Sequence, residues 1–594
     1  MRRPTIILVF FSMMAVYGAA PDGEALYKQR CSSCHDGRPQ PRMPSRQELT
    51  ARTPESIYEA MFGGTMAIQA WGLASEEGRA IARYITAKEF AAPATIAAAG
   101  KCRMAPGAIS IGDTDWNGWS SDLANSRYQP HPGITAADVP NLKLKWAFAF
   151  PGETTRSAQP AVVGGRVFTG STSGSMYSLD AATGCVYWKY DAGATVRTAI
   201  SIGKAGGKTI AYFGDVRSQV HAVDAGTGEL LWKVKVEEHP ASRITGAPAF
   251  YNGRLYVPVS SVEEASAMSA AYECCKFRGS MVALDAATGK QIWKTFAITD
   301  PARPYQKSAA GTQLWGPAGA AIWSAPTIDV KRKVIYAGTG NSYTNVETHT
   351  TDSIVAIDLE SGSLLWSSQV QPKDNFTMGC MRGINCPEER GPDFDFGSSP
   401  ILRELPGGKR VLICGQKSGV VWGLDPDNRG KVLWQTRVGQ GSALGGIEWG
   451  PTADFEYAYV AVSDVIVAQG HPGGLHAVKL ATGEKIWTTP PPELHCTAGA
   501  KGCNSAQSAA ISSIPGVVFS GSVDGHLRAF ASKTGEIIWD FDTVRDYETV
   551  NGIPGKGGSL DAGGPVIVNG MLFTNSGYGM WQGLPGNVLL AFGK

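Results

Sequence analysis

The stretch LDAATGKQIW, Leu284 to Trp293, sets the architecture, because variants of it recur along most of the chain. They read LDAATGCVYW ending at Trp188, VDAGTGELLW at Trp232, IDLESGSLLW at Trp366, LDPDNRGKVLW at Trp434, VKLATGEKIW at Trp487 and FASKTGEIIW at Trp539. Each copy is a short apolar run, a polar turn with Gly and a second run closed by Trp, the pattern of two antiparallel strands joined by a tight turn. A further apolar pair precedes each copy, as in PAVVGGRVFTG from Pro160. One repeat therefore supplies about four strands, which is the size of a propeller blade.

The ends of the repeat region complement each other. The last repeat, GGPVIVNGMLFTNSG and then GNVLLAF, runs out before its Trp strand, whereas LKLKWAFAF from Leu142 has that strand and no blade of its own. Pairing the two closes a ring of eight blades and leaves no open sheet edge. The expected fold is an all-β, eight-bladed β-propeller.

Working outward to the N-terminus, Arg2 and Arg3 precede the apolar run Thr5 to Val16, and Gly18-Ala19-Ala20 offers a small-residue cleavage site. The run is too short to span a bilayer and reads as an export signal over 1–20, which places the mature chain in the periplasm without stable membrane insertion. Lys plus Arg is 54 against Asp plus Glu at 52. That balance argues against nucleic acid or anionic lipid as a partner.

Next comes Cys31-Ser32-Ser33-Cys34-His35. Two thiols three apart suit thioether attachment of haem c, with the adjoining His as an axial ligand of the iron. A zinc half-site has the same start, but no second Cys/His pair lies nearby to complete it. Downstream, MFGGTMAIQAWGLASEEGRAIARYI resembles c-type cytochromes in its Gly-x-Met before an amphipathic helix. That resemblance makes Met66 the second axial ligand, ahead of Met61 and Met43. A small all-α cytochrome c domain is thus expected over 21–95, a linker over 96–111 and the propeller over 112–594.

Successive closing Trp residues from Trp232 to Trp434 are 61, 73 and 68 residues apart, against 42 and 44 for the two preceding intervals. The surplus must emerge as loops on a propeller face, where functional residues concentrate. Here the chain resembles the pyrroloquinoline quinone (PQQ) dependent quinohaemoprotein alcohol dehydrogenases over about residues 112 to 592. YAGTGN, ending at Asn341, resembles the motif whose Asn binds calcium beside the quinone, and Trp323 matches the Trp beneath the PQQ ring. PDFDFG contains Asp395, which resembles the catalytic base, and QKSG places Lys417 at the quinone oxygens. VSSVEE supplies Glu263 or Glu264 as the calcium-binding Glu.

Residue chemistry agrees with this resemblance. Glu263 or Glu264, Asn341 and Asp395 offer hard oxygen donors. An Asp near the ion would take the alcohol proton, a bound quinone would accept the hydride, and Lys417 would stabilise the charge developing on the quinone oxygen. A wide indole suits a planar cofactor.

Two features depart from the commoner family pattern. The vicinal pair Cys274-Cys275 follows the candidate Glu, whereas the familiar enzymes carry it in an earlier blade; the matching early segment here is ATVRTAIS, with Arg197 and no Cys. Cys274-Cys275 is therefore either a cofactor-facing pair from another blade or a wall of different purpose, with Arg278 and Arg197 as candidates for PQQ carboxylates. The second departure is the acidic pair Asp393 and Asp395: some relatives use a second Asp at this spacing to bind a lanthanide. The preferred match puts Gly397 at that extra position and implies calcium; a shift of two reverses it. Of the other cysteines, Cys380 with Cys386 and Cys496 with Cys503 are expected as local disulfides, while Cys102, Cys185 and Cys414 are left unassigned.

A leading cytochrome followed by SSVEE, YECCKFRGS, GTGN and DFDFGSSP resembles the branch of this family that oxidises the secondary hydroxyls of polyvinyl alcohol to ketones. The resemblance implies electrons passing from alcohol to PQQ and out through haem c to a soluble cytochrome c or another periplasmic electron acceptor. The alternatives are a quinohaemoprotein acting on small alcohols or aldoses, and a non-enzymatic assembly scaffold built from the same repeat.

Overall fold

The computed structural model describes residues 20–36, 44–62, 66, 69–70, 73, 75–90, 100–103, 107–466, 472–491, 493–494, 503–581 and 583–594. The proposed export signal lies almost wholly outside these residues. The chain forms two units, one made of Met1–Tyr58 with Glu76–Phe90 and the other of Glu59–Ser75 with Ala91–Lys594.

In the first unit, Asp22 caps the helix Gly23–Arg30 by accepting from the amides of Glu24 and Ala25. Gly23 lets this helix touch Ser75–Thr86, since a Cβ there would lie 2.2 Å from the Ala80 carbonyl oxygen. Tyr27 and Tyr84 meet across the same contact, and the Arg46 guanidinium lies over both rings.

Among the described residues, the second unit carries eight antiparallel sheets arranged as blades, seven of four strands and one of five. The expected closure is present: Lys143–Ala149 pairs with Val588–Gly593, setting Ala147 opposite Leu590. The strand from the start of the repeat region thus completes the last blade.

The repeat explains how one blade holds the next. In the founding copy, Asp285 Oδ1 accepts from the amide and hydroxyl of Thr288, and Gly289 takes φ +72°. Only Gly adopts that conformation cheaply, and a second demand falls on the same position. A Cβ at Gly289 would lie 2.7 Å from the Trp232 ring of the preceding blade. The same stack joins Trp146 to Gly184, Trp188 to Gly228, Trp293 to Gly362, Trp366 to Gly430, Trp434 to Gly483 and Trp487 to Gly535. Several of these indoles also donate across the interface, as Trp232 Nε1 does to the Ala286 carbonyl at 3.1 Å. The Gly and the Trp of each repeat are thus two halves of one contact between neighbours.

One segment ties the inner strands together. Trp116 exchanges backbone hydrogen bonds with Val162, and the Asn117 amide bonds the backbone of Ile202. Leu123, Ala124 and Ser126 carbonyls accept from Ile328, Leu402 and Ala453, and Gln129 N donates to Ser513. Arg127, fully buried, fills the middle and donates to the Ile511 and Trp119 carbonyls, Gln159 and Ser512. Residues 116–129 therefore strap the inner strands of six blades.

Cys274–Cys275 and Cys380–Cys386 are disulfides, and Cys102, unassigned from sequence, pairs with Cys185. Cys503 is also disulfide-bonded, while its expected partner Cys496 lies outside the described residues. Cys414 is a buried thiol.

Candidate active site

The loops that enter the innermost strands converge on one cluster of side chains. Trp323 stands four residues before Thr327–Asp329, Asp395 six before Ile401–Glu404, and Arg197 four before Ser201–Ala205. The long insertions supply the rest.

At the centre, Lys417 Nζ donates to Asp395 Oδ2 at 2.9 Å and lies 3.4 Å from Asp393 Oδ2. All three are buried. Burial alone would lower the lysine's proton affinity, but the charges of Asp393, Asp395 and Glu448 outweigh it and hold Lys417 protonated well above its ordinary range. Asp395 Oδ1 accepts from the Asn341 amide N–H at 2.8 Å, which joins the GTGN segment to the DFDFG segment. Asp374 completes the cradle by accepting from the amides of Asp393 and Phe394. Lys417 Nζ also lies 5.4 Å from the centre of the Trp323 ring.

Asn341 is oriented by its own donors. Its Nδ2 gives both hydrogens to carbonyls, Ser342 at 2.9 Å and Phe376 at 2.8 Å. Its Oδ1 accepts no hydrogen bond among the described residues and is the atom left for a ligand.

The adjacent glutamates separate clearly. Glu263 is fully buried and spent on structure: it accepts from Tyr272 OH and the Lys276 and Phe277 amides, each at 2.8 Å. This corrects its candidacy as a metal ligand, because its lone pairs already hold the loop that carries Cys274 and Cys275. Glu264 instead feels Asp395 and Lys417; burial first, and then the charge of Asp395, raise its pKa. Among the described residues no three His, Cys, Asp or Glu side chains form a ready-made metal cluster. Glu264, Asn341 Oδ1 and Asp395 nonetheless form a mixed carboxylate and amide set that fits a hard divalent cation.

Arg278 also departs from expectation. Its guanidinium donates to the Ile298 and Thr299 carbonyls and lies over Phe296, so it braces the third blade rather than the Lys417 cluster. Arg197 does reach the pocket, with its guanidinium 4.5 Å from the centre of the Trp449 ring. Cys274 and Cys275 belong to the buried apolar cluster against which Trp323 packs. Gly397 is the position where an extra acid was weighed. A Cβ there would lie 2.2 Å from Trp323, so the floor leaves no room for a side chain.

Sequence reasoning missed Glu448, Trp449 and Asp561. Trp449 meets Trp323 edge-on at 5.5 Å, and its Nε1 donates to Asp561 at 2.7 Å. Burial pushes Glu448 up to about 7, with Lys417 opposing. A usable signal existed, since WSAPT at Trp323 and WGPT at Trp449 are the same element in two blades.

In the first unit, Cys34 and His35 amides both donate to the Cys31 carbonyl, so one helical turn carries the two thiols and the imidazole. His35 is buried, and its Nδ1 donates to the Pro44 carbonyl at 2.8 Å. That fixes the tautomer and leaves the Nε2 lone pair for iron, as a haem site requires. In the other unit, Met61 is buried and Met66 half-buried, while Met43 lies outside the described residues.

A propeller with this pocket, joined in one chain to a haem-binding sequence, defines the class of PQQ-dependent quinohaemoprotein dehydrogenases. Family models agree: glucose/ethanol/alcohol dehydrogenase, beta-propeller domain, matches residues 116–380, and cytochrome C oxidase, cbb3-type, subunit III, matches 18–85. A third, outer membrane protein assembly factor BamB, matches 279–540 and reflects the shared repeat. A polyvinylalcohol dehydrogenase of Pseudomonas sp. is 43% identical over 600 residues, covering 96% of this chain and 93% of that protein. Another from Sphingopyxis sp. is 42% identical over 96% of this chain and 92% of its own length. The chain belongs to the polyvinyl alcohol dehydrogenase family. Quinohemoprotein alcohol dehydrogenase from Comamonas testosteroni shares the fold, with a TM-score of 0.59 at 20% identity over 81% of this chain and 80% of its own.

Proposed function

We propose that this chain is a periplasmic quinohaemoprotein that oxidises secondary hydroxyls of a polyvinyl-alcohol-like polymer to ketones, its electrons leaving through haem c to a soluble cytochrome. The cytochrome domain spans 21–95, the linker 96–111 and the propeller 112–594. The observation that carries the reading is the buried Asp395–Lys417 pair beside Trp323, in a chain so similar in length and sequence to known polyvinylalcohol dehydrogenases. No helix among the described residues is long and apolar enough to cross a membrane.

PQQ, when bound, supplies a two-electron acceptor for the alcohol carbon. Trp323 gives it a flat apolar floor. Asp395 takes the proton of the substrate hydroxyl, and the Asn341 amide and Lys417 fix the rotamer in which it does so. Lys417 brings a desolvated positive charge to the cofactor oxygens, where a buried site makes it count for most. Glu264, Asn341 Oδ1 and Asp395 would hold calcium. Cys31 and Cys34 would carry haem c, with His35 and Met66 as iron ligands.

The test is an anaerobic haem spectrum of the oxidised protein, reconstituted with PQQ and calcium, before and after polyvinyl alcohol is added. Haem reduction requiring both PQQ and polymer is expected. Faster reduction by a small secondary alcohol would move the substrate class, and no reduction by any alcohol would refute the reading.

A further inference from the structure

Trp449 sits in the loop GGIEWG, where Gly445 and Gly450 take φ of +83° and +143°. Such a loop imposes little on the indole it carries, and the inner strand of its blade begins only at Thr452. The indole is nonetheless held on three sides by other blades. It meets Trp323 at right angles, its face lies under the Arg197 guanidinium, and its Nε1–H is donated to Asp561 Oδ1 at 2.7 Å. Asp561 is itself fixed, because the same oxygen accepts from Ser508 Oγ at 3.2 Å and from the Ala562 amide at 2.5 Å.

The electrostatics make this clamp more than the satisfaction of one indole. Arg197 lies near a second half-buried guanidinium, Arg243, and the two repel each other. Asp561 and Glu448 are the carboxylates that attract Arg197. A half-buried guanidinium is steadied by such carboxylates.

We propose that Asp561 is a positioning residue for the cofactor pocket: its carboxylate locks the Trp449 indole, and with it the Arg197 guanidinium, against Trp323. The wall beside Trp323 is thereby set before a planar anionic cofactor arrives, and its affinity depends on an acid that need not touch it. The inference rests on the functional reading above.

The experiment is equilibrium binding of PQQ to the full-length, calcium-loaded protein, followed by quenching of tryptophan fluorescence. Asp561→Ala should weaken binding about tenfold, the scale of one lost hydrogen bond to a charged group. Asp561→Asn, which keeps an acceptor for the indole, should recover part of that loss and serves if the Ala variant does not fold. The deciding arm is a double-mutant cycle with Trp449→Phe. In that background Asp561→Ala should cost much less, because the indole it positions is gone and only its attraction for Arg197 remains. A full tenfold loss there, or unchanged binding in Asp561→Ala alone, overturns the proposal. Failure of the unmodified protein to bind PQQ would instead bring down the functional reading, and this inference with it.

Discussion

Gly397→Ala probes the pocket floor with a single methyl group. Its backbone avoids the left-handed region, so Ala brings no conformational penalty. The cost is steric: the new Cβ would lie 2.2 Å from Trp323 Cη2, 2.4 Å from Cζ2 and 3.0 Å from the Glu448 carbonyl oxygen. Carbon pairs rest at about 3.5 Å, so the indole must retreat by about 1.3 Å. Overpacking of this kind costs about 1–3 kcal/mol of stability. The functional cost is larger, since a displacement of about 1 Å in a positioned site can remove about a hundredfold in rate. PQQ affinity, turnover and urea unfolding should be measured together, with Gly203→Ala as the control. That Cβ would lie 2.6 Å from the Phe250 ring, a similar clash at the interface of the second and third blades. The control should lose comparable stability and keep its PQQ affinity. Wild-type affinity and turnover in Gly397→Ala would refute the assignment of Trp323 as the floor.

Asp395→Asn should abolish turnover while PQQ and haem stay bound; retained turnover would move the base to Asp393. Lys417→Met leaves Asp393 and Asp395 buried without their cation, and should cost about 3–5 kcal/mol in denaturant unfolding at neutral pH. Glu448 has its pKa raised by burial from 4.5 to about 7, so the folded state binds more protons between those values and its stability falls as pH rises through them. Cofactor-free wild type should therefore lose melting temperature between pH 5 and pH 8 more steeply than Glu448→Gln, and parallel profiles would refute this. Met66→Ala should alter the oxidised haem spectrum, whereas an unchanged spectrum would shift the ligand to Met61 or Met43.

The blade count was legible because Gly and Trp of each repeat meet at the same interface, which imposes one spacing on all copies. The closure was legible for a related reason: the final blade lacks a Trp strand and Lys143–Ala149 supplies one. Trp323, Asn341, Asp395 and Lys417 carried recognisable motifs, and the structure gathers them. The choice between Glu263 and Glu264 was not legible. The two are neighbours on one helical turn, and only hydrogen bonds from Tyr272, Lys276 and Phe277 decide which is consumed. The placing of Arg278 was not legible for the same kind of reason, since a charge beside a cysteine pair says nothing of the carbonyls that accept from it. Asp561 lay in a loop with no motif, and its meaning comes from an indole 112 residues away in sequence.

The strap at 116–129 bears on how such a chain is made. It precedes every blade it fastens, and its partners extend from Val162 to Ser513. Synthesised from the N-terminus, this segment emerges before any blade and waits for hundreds of residues before its last acceptor exists. Contacts so distant in sequence are slow to form. Arg127, meanwhile, has no place to put its charge except water. The ring therefore gains its rivet late, when a cation abandons solvent for the carbonyls of blades made long after it.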